Sequence, residues 1–410
     1  MAWPATRWPA VFFLGAALLA AAPARAQTDA IVPFKIQVPH AVLTDLKQRL
    51  SQTRFPDELA GSGWNYGTDL TYLKQLTDYW RDRYDWRAQE RRLNELPQFK
   101  TTIDGLAIHF VHWRSSAPNA MPIVMIHGWP GSFLEFVKIS DLLVNPARHG
   151  GQNADAFHVV ALSLPGYGFS GRPREPGYSP EKMGTVVATL MKRLGYERYA
   201  VQGGDWGSVV GRMAALNDAP HVAGLHLNFC TIGAPAGVPN ANDGVPPAQL
   251  ARVRERQAAM QNELGYFQIQ STKPQTLGYG LNDSPAGLAA WIVEKFRTWC
   301  DCGGDVERKF TKDELLNNVM LYWVTQTITS STRIYFENRA VPAPQRKVEV
   351  PVACAIFPKD LIVSTEKWMS VQHNLVRWTE MPRGGHFAAM EEPELLADDI
   401  RAFFRPLRRF

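Results

Sequence analysis

In GGDWG, Gly203 to Gly207, an aspartate stands at what reads as a sharp turn from a strand into a helix. A turn that presents a nucleophile this way needs small residues two before and two after it, because the backbones approach closely. Gly203 and Gly207 meet that need around Asp205. Taken alone, such a stretch is a helix N-cap more often than a nucleophile. Three other features converge on it. In HGWPGS, His127 to Ser132, a loop closing an apolar run can aim the Trp129 N–H at the same point as the Trp206 N–H, giving an oxyanion hole. His386 follows two glycines ahead of a C-terminal helical pattern, and of the 10 histidines it alone is so framed; His127 is read as part of the oxyanion loop. Asp360, in CAIFPKDLIVS, can orient His386, with Glu366 as the alternative acid, and nucleophile, acid, histidine is a known chain order for a triad.

The residue types decide the chemistry. A carboxylate is ionised at neutral pH, since a model Asp titrates near about 3.9, whereas a serine must lose its proton during attack. Asp205 is therefore suited to attack an sp3 carbon and form an alkyl ester, leaving His386 to activate the water that cleaves it. An ordinary ester substrate would give a mixed anhydride, which disfavours a carboxylesterase. Two electrophiles remain: an epoxide, whose alkoxide needs a proton donor, and an alkyl halide, which needs N–H donors such as the Trp129 and Trp206 indoles. A non-catalytic ligand binder is expected to lack at least one of Asp205, Asp360 and His386, and all three are present.

The elements that must position these groups are legible as alternation. Strand-like runs occur at Leu106 to Trp113, Met121 to Gly128, Ala156 to Leu164, Arg198 to Gly204, Gly224 to Phe229 and Pro351 to Pro358, with helical patterns between them. This rhythm predicts a mainly parallel sheet with helices on both faces and a ligand site at the carboxyl ends of the strands. Between Cys230 and about residue 350 the strands stop and amphipathic helices take over, as in PPAQLARVRERQAAMQNELGYF and AGLAAWIVEKFRTW. An all-helical insert between two strands of one sheet predicts a cap over the site. Residues 27–100 read as a helical meander, with patterns at HAVLTDLKQRL and DLTYLKQLTDYWRDRYDW. The expected division is 1–26 signal peptide, 27–100 N-terminal segment packing on cap and core, 101–230 first core part, 231–349 cap and 350–410 second core part.

Together HGWPGSF, GYGFSGRP, GGDWGS, GYFQIQSTKPQTLGYGLNDSPAGLAAWIVEKF and RGGHFAAMEEPELLADDIRAF resemble the microsomal-type epoxide hydrolases, a branch of the α/β-hydrolase fold that includes the juvenile hormone epoxide hydrolases. The resemblance spans almost everything after the first 26 residues. It implies an Asp nucleophile at Asp205, a base at His386, an acid at Asp360, no cofactor and no metal. It also implies two cap tyrosines that bind the epoxide oxygen, at the positions of Tyr266 and Tyr335. The family pattern often has Glu at the acid position, one methylene longer than Asp360.

Composition is that of an ordinary globular enzyme, 45% hydrophobic and 20% charged. Arg7, the apolar run VFFLGAALLAAA and the small-residue site ARA predict a signal peptide cut near Ala26/Gln27 and an exported, periplasmic or secreted protein without stable membrane insertion. Losing Arg7 and Arg25 from 44 basic residues leaves 42 against 39 acidic ones, a net charge of +3 scattered along the chain, which argues against nucleic-acid or membrane-surface partners. The expected partners are a small-molecule epoxide and water. Cys230, Cys300, Cys302 and Cys354 are too few for a disulfide framework and lack paired zinc spacing; which of them could pair stays open.

Overall fold

The computed structural model describes residues 29–234, 240–341 and 346–408, so the expected signal peptide lies outside the described residues. Among them nine strands form one sheet: β1 (Val32–Pro33), β2 (Gln98–Ile103), β3 (Leu106–Trp113), β4 (Met121–Ile126), β5 (Phe157–Leu162), β6 (Tyr199–Gly203), β7 (Val222–Leu227), β8 (Val348–Ile356) and β9 (His373–Glu380). Their order is β1-β2-β3-β5-β4-β6-β7-β8-β9. Neighbours from β5 to β9 run parallel, and β1, β2 and β3 join antiparallel. Every residue of β4, β6 and β7 is buried, as expected of parallel strands covered on both faces.

Among the described residues fifteen α-helices accompany the sheet. Three precede the parallel part: α1 (His40–Ser51), α2 (Leu70–Asp82) and α3 (Trp86–Leu93). The helical pattern expected over DLTYLKQLTDYWRDRYDW is α2, which ends at Asp82; Asp69 caps it, accepting from the Tyr72 N–H, and Asp85 caps α3, accepting from the Ala88 N–H. Next come α4 (Val137–Val144), α5 (Pro180–Arg193) and α6 (Trp206–Asn217). Six helices lie between β7 and β8: α7 (Pro247–Met260), α8 (Gly265–Thr272), α9 (Pro274–Leu281), α10 (Pro285–Trp299), α11 (Lys312–Thr325) and α12 (Ile328–Ala340). Then α13 (Glu366–Gln372) precedes β9, and α14 (Ala388–Glu391) and α15 (Pro393–Phe404) close the chain.

Successive residues of a strand point to opposite faces, and β7 uses this to hold a helix on each side. A Cβ on Gly224 would meet the Phe403 ring of α15 at 3.1 Å, while the next residue, Leu225, lies 3.3 Å from the Cβ position of Gly211 on α6. The helical meander expected at 27–100 also carries β1, and its boundary at residue 100 falls inside β2, so this segment extends the sheet as well as packing beside it. The meander reaches the helices of the insert: Arg49 pairs with Asp283 at 2.6 Å, and Tyr79 donates to Asp313 at 2.8 Å.

The register of β4 against β6 sets up the site. Ile126 pairs with Gly203, so the loop after Ile126 and the turn after Gly203 leave the sheet side by side at its carboxyl edge.

Candidate active site

Asp205 sits at the first turn after β6 with φ 50° and ψ −130°, a conformation that costs a non-glycine residue roughly 1–3 kcal/mol. It occupies the N-cap position of α6 but its side chain caps nothing, which removes the N-cap reading. The glycines around it are required by contact distances: a Cβ on Gly203 would lie 2.2 Å from the Gly207 carbonyl oxygen, and one on Gly207 would lie 1.8 Å from that of Ile126. With no cap to make, the carboxylate turns to groups from other strands.

Trp129, in the loop after β4, donates its N–H to Asp205 Oδ1 at 2.7 Å. That loop is braced from both sides. His127 donates from Nδ1 to the Gly128 carbonyl at 2.9 Å and accepts from the Leu164 N–H at Nε2; burial lowers its pKa to about 4 and keeps it neutral. Asn318 Nδ2 on α11 donates to the Pro130 carbonyl at 2.7 Å, and the Tyr322 hydroxyl donates to that of Gly131 at 2.6 Å. The Trp206 N–H is the first of α6, one residue past the carboxylate. Among the described residues it makes no hydrogen bond to Asp205, so of the two expected donors only Trp129 holds the carboxylate.

His386 closes the other side. Its Nε2 lies 3.2 Å from Asp205 Oδ2 and its Nδ1 lies 2.6 Å from Asp360 Oδ1. Asp360, in the turn after β8, also accepts the Leu361 N–H at 2.7 Å and is buried at 1% exposure. Burial raises its pKa, opposed by His386. Burial by itself would depress His386, but Asp360 and Asp205 outweigh it and lift the imidazole to about 10. Glu366 is exposed at the start of α13, where its N–H bonds to Gln249, and takes no part in this chain of contacts.

Above Asp205 the insert supplies aromatic rings. Tyr266 on α8 stacks on Trp129 at 5.5 Å, Tyr335 on α12 meets Trp206 edge-on at 4.8 Å, and the two tyrosines lie 5.9 Å apart. Both are buried, and burial together with nearby negative charge, Asp205 included, pushes both phenols up, so each remains a proton donor. The Tyr335 hydroxyl has no protein partner. These rings and Asp205 border a cavity of about 410 Å³ whose walls include Leu227, Phe229, Met260 and Phe267. Trp129 and Phe387 border a second, far smaller space that also touches Asp205.

Residues 31–136 match the model for the epoxide hydrolase N terminus, and residues 121–323 match that for the alpha/beta hydrolase fold. Epoxide hydrolase 1 of Sus scrofa is 42% identical over 408 residues, covering 93% of this chain and 90% of its own length. The crystal structure of juvenile hormone epoxide hydrolase from Bombyx mori superposes with a TM-score of 0.86 at 34% identity, over 93% of this chain and 96% of that one. The epoxide hydrolase structure from Aspergillus niger gives 0.82 at 34% identity, over 92% and 97%. The chain belongs to the epoxide hydrolase family. Its fold is the α/β-hydrolase fold.

Two site residues of this epoxide hydrolase family member escaped sequence reasoning. Glu391 on α14 accepts the N–H groups of Asp301 at 2.8 Å, Gly385 at 3.0 Å and Phe387 at 2.9 Å, which ties the His386 loop to the turn after α10. In that turn Cys300 and Cys302 form a disulfide, and the Trp299 carbonyl accepts the His386 N–H at 2.9 Å; Cys230 and Cys354 are buried free thiols. Glu135, eight residues past His127, points back over Gly131, where a Cβ would lie 1.6 Å from its Oε1. An acidic residue inside the otherwise apolar FLEF was the available signal.

Proposed function

We propose that this protein hydrolyses an apolar epoxide to the vicinal diol through an ester on Asp205. The observation that most directly supports this is a carboxylate held between the Trp129 N–H and His386, facing an apolar cavity that carries two phenols. Oδ1 takes the short bond from the Trp129 N–H, and Oδ2, in its longer 3.2 Å contact with His386 Nε2, is the oxygen that attacks the epoxide carbon. As the C–O bond breaks, Tyr266 or Tyr335 donates its proton to the departing alkoxide, and the product is a hydroxyalkyl ester with a tyrosinate.

Formation of the ester also changes His386. Its high pKa depends on two carboxylates, and esterification removes the charge of Asp205, leaving Asp360 as the one partner. The imidazole then gives its proton to the tyrosinate through solvent and becomes a base. It takes a proton from water as the water attacks Asp205 Cγ, and the negative charge gathers on Oδ1, where Trp129 and the first N–H of α6 stabilise it. Collapse expels the diol oxygen, which takes the proton back from His386. The regenerated acid at Asp205 loses its proton, and the net reaction adds one water.

A dehalogenase would use the same Asp nucleophile with indole N–H groups on the halide. Of the two indole residues Trp206 borders the large cavity but Trp129, 1% exposed, does not, so the pair of indole donors is not offered there, whereas two phenols are. We further propose that residues 231–349 act as the cap, that 27–100 packs on cap and core, and that 1–26 directs export; no helix among the described residues is long and apolar enough to cross a membrane. The test is product analysis with purified protein: an aryl or alkyl epoxide should yield the diol, and a bromoalkane should release no bromide. Bromide release without diol formation would reject the proposal.

A further inference from the structure

The large cavity and the small one behind Asp205 share one bordering residue, Asp205 itself. The small cavity measures about 10 Å³, close to what a single water occupies. Around it stand Glu135, Asn228 and His386, together with Gly128, Trp129 and Gly204. Three of these are polar side chains from three different elements, enough to satisfy the two to four hydrogen bonds that about one enclosed water makes. His386 is common to this cavity and to the Asp205–Asp360 chain of contacts.

The carboxyl of Glu135 is held there by packing. Its N–H donates to the Ser132 carbonyl at 3.1 Å, and its Oε1 fills the space over Gly131 that any side chain at 131 would need. Asn228 is fixed likewise: its Oδ1 accepts from Gln202 Nε2 at 2.7 Å, which leaves the Nδ2 end as donor, and Gly204 must lack a Cβ because one would lie 2.7 Å from that nitrogen.

The geometry points to a dedicated seat for the hydrolytic water, walled from the epoxide cavity by Asp205, with Glu135 as the positioning residue. The inference rests on the Asp205 ester of the proposed function. In this seat the water donates one hydrogen to His386 Nε2 and the other to the Glu135 carbonyl oxygen, with a lone pair turned to Asp205 Cγ. Asn228 Nδ2 donates to its remaining lone pair. Epoxide and water therefore reach Asp205 from opposite sides, and a bulky substrate does not displace the water. Burial pushes Glu135 up to about 8 against the pull of His386, so it stands as a carboxylic acid at neutral pH and adds no charge that would repel the developing oxyanion.

The test separates ester formation from ester hydrolysis by rapid mixing with excess epoxide, following the covalent adduct by mass spectrometry and turnover by diol release. Glu135→Met, which keeps the bulk but removes the acceptor, should slow ester hydrolysis about tenfold or more while ester formation keeps its rate. Its kcat and KM should fall together with kcat/KM unchanged, and the adduct should accumulate. Glu135→Gln, which keeps a carbonyl oxygen in place, should restore hydrolysis. Glu135→Ala is the second variant should Met not fold, with the same expected split. Equal slowing of both steps, or hydrolysis at the parent rate in Met and Ala variants, overturns the water seat. If no adduct appears even in His386→Gln, it is the Asp205 ester that fails.

Discussion

Gly128→Ala adds one methyl group, and the structure says where it lands. The new Cβ would lie 1.9 Å from Asp205 Oδ1 and 2.5 Å from Cγ. Ordinary contact between such atoms is about 3.5 Å, so the carboxylate must retreat by about 1.5 Å or the 127–132 loop must give way. The loop has little freedom, since His127, Asn318 and Tyr322 hold its carbonyls. The carboxylate therefore yields, and loses its bond to the Trp129 N–H and its alignment with His386. A displacement near 1 Å costs about a hundredfold in a reaction that depends on alignment, or about 2.7 kcal/mol of transition-state stabilisation. The assay is the single-turnover rate of ester formation, with a thermal melt to show that the variant folds. A folded Gly128→Ala protein that alkylates within about threefold of the parent rate would refute the placement of Asp205 against this loop.

Three further outcomes are expected. Tyr266→Phe with Tyr335→Phe should lower ester formation about a hundredfold or more, and because the Tyr335 hydroxyl has no protein partner, that substitution should leave the melting temperature equal or higher. His386→Gln should form the ester and stall, leaving an adduct visible by mass spectrometry of the intact protein. The His386 pKa is raised from 6.5 to about 10 in the folded chain, so its contribution to stability is full below 6.5 and is lost as pH rises through 10. Melts across that window should show a decline in the parent that His386→Gln flattens.

The central strands were legible because parallel strands buried on both faces read as uninterrupted apolar runs, as in MPIVMI of β4. The edge strand β9 was not. In HNLVRWTE Arg377 and Thr379 are both bonded to Asp399 of α15 at 2.8 Å while Val376, from the opposite face, is exposed, so the strand does not read as a buried apolar run. β1 is two residues long and carries no period at all. Within the site, Asp205 and His386 could be read because their turns need glycines, which announce themselves, and Asp360 because it follows the proline that ends the apolar run of β8. The Glu391 clamp and the Glu135 carboxyl depend on which backbone comes to face them across the fold, a fact held by packing and not by local spacing. The Cys300–Cys302 bond belongs to the same class: four cysteines permit several pairings, and only the tight turn beside His386 selects one.

The most direct test of the account is a single turnover in water enriched in oxygen-18 with enzyme in excess over epoxide, followed by mass analysis of diol and of the peptide that contains Asp205. If water attacks Asp205 Cγ, one heavy oxygen enters the Asp205 carboxylate, and the diol of the first turnover carries only light oxygen derived from the epoxide and the enzyme. Heavy oxygen in the diol, with none in the peptide, would mean that water attacks the epoxide directly and that Asp205 is not the nucleophile.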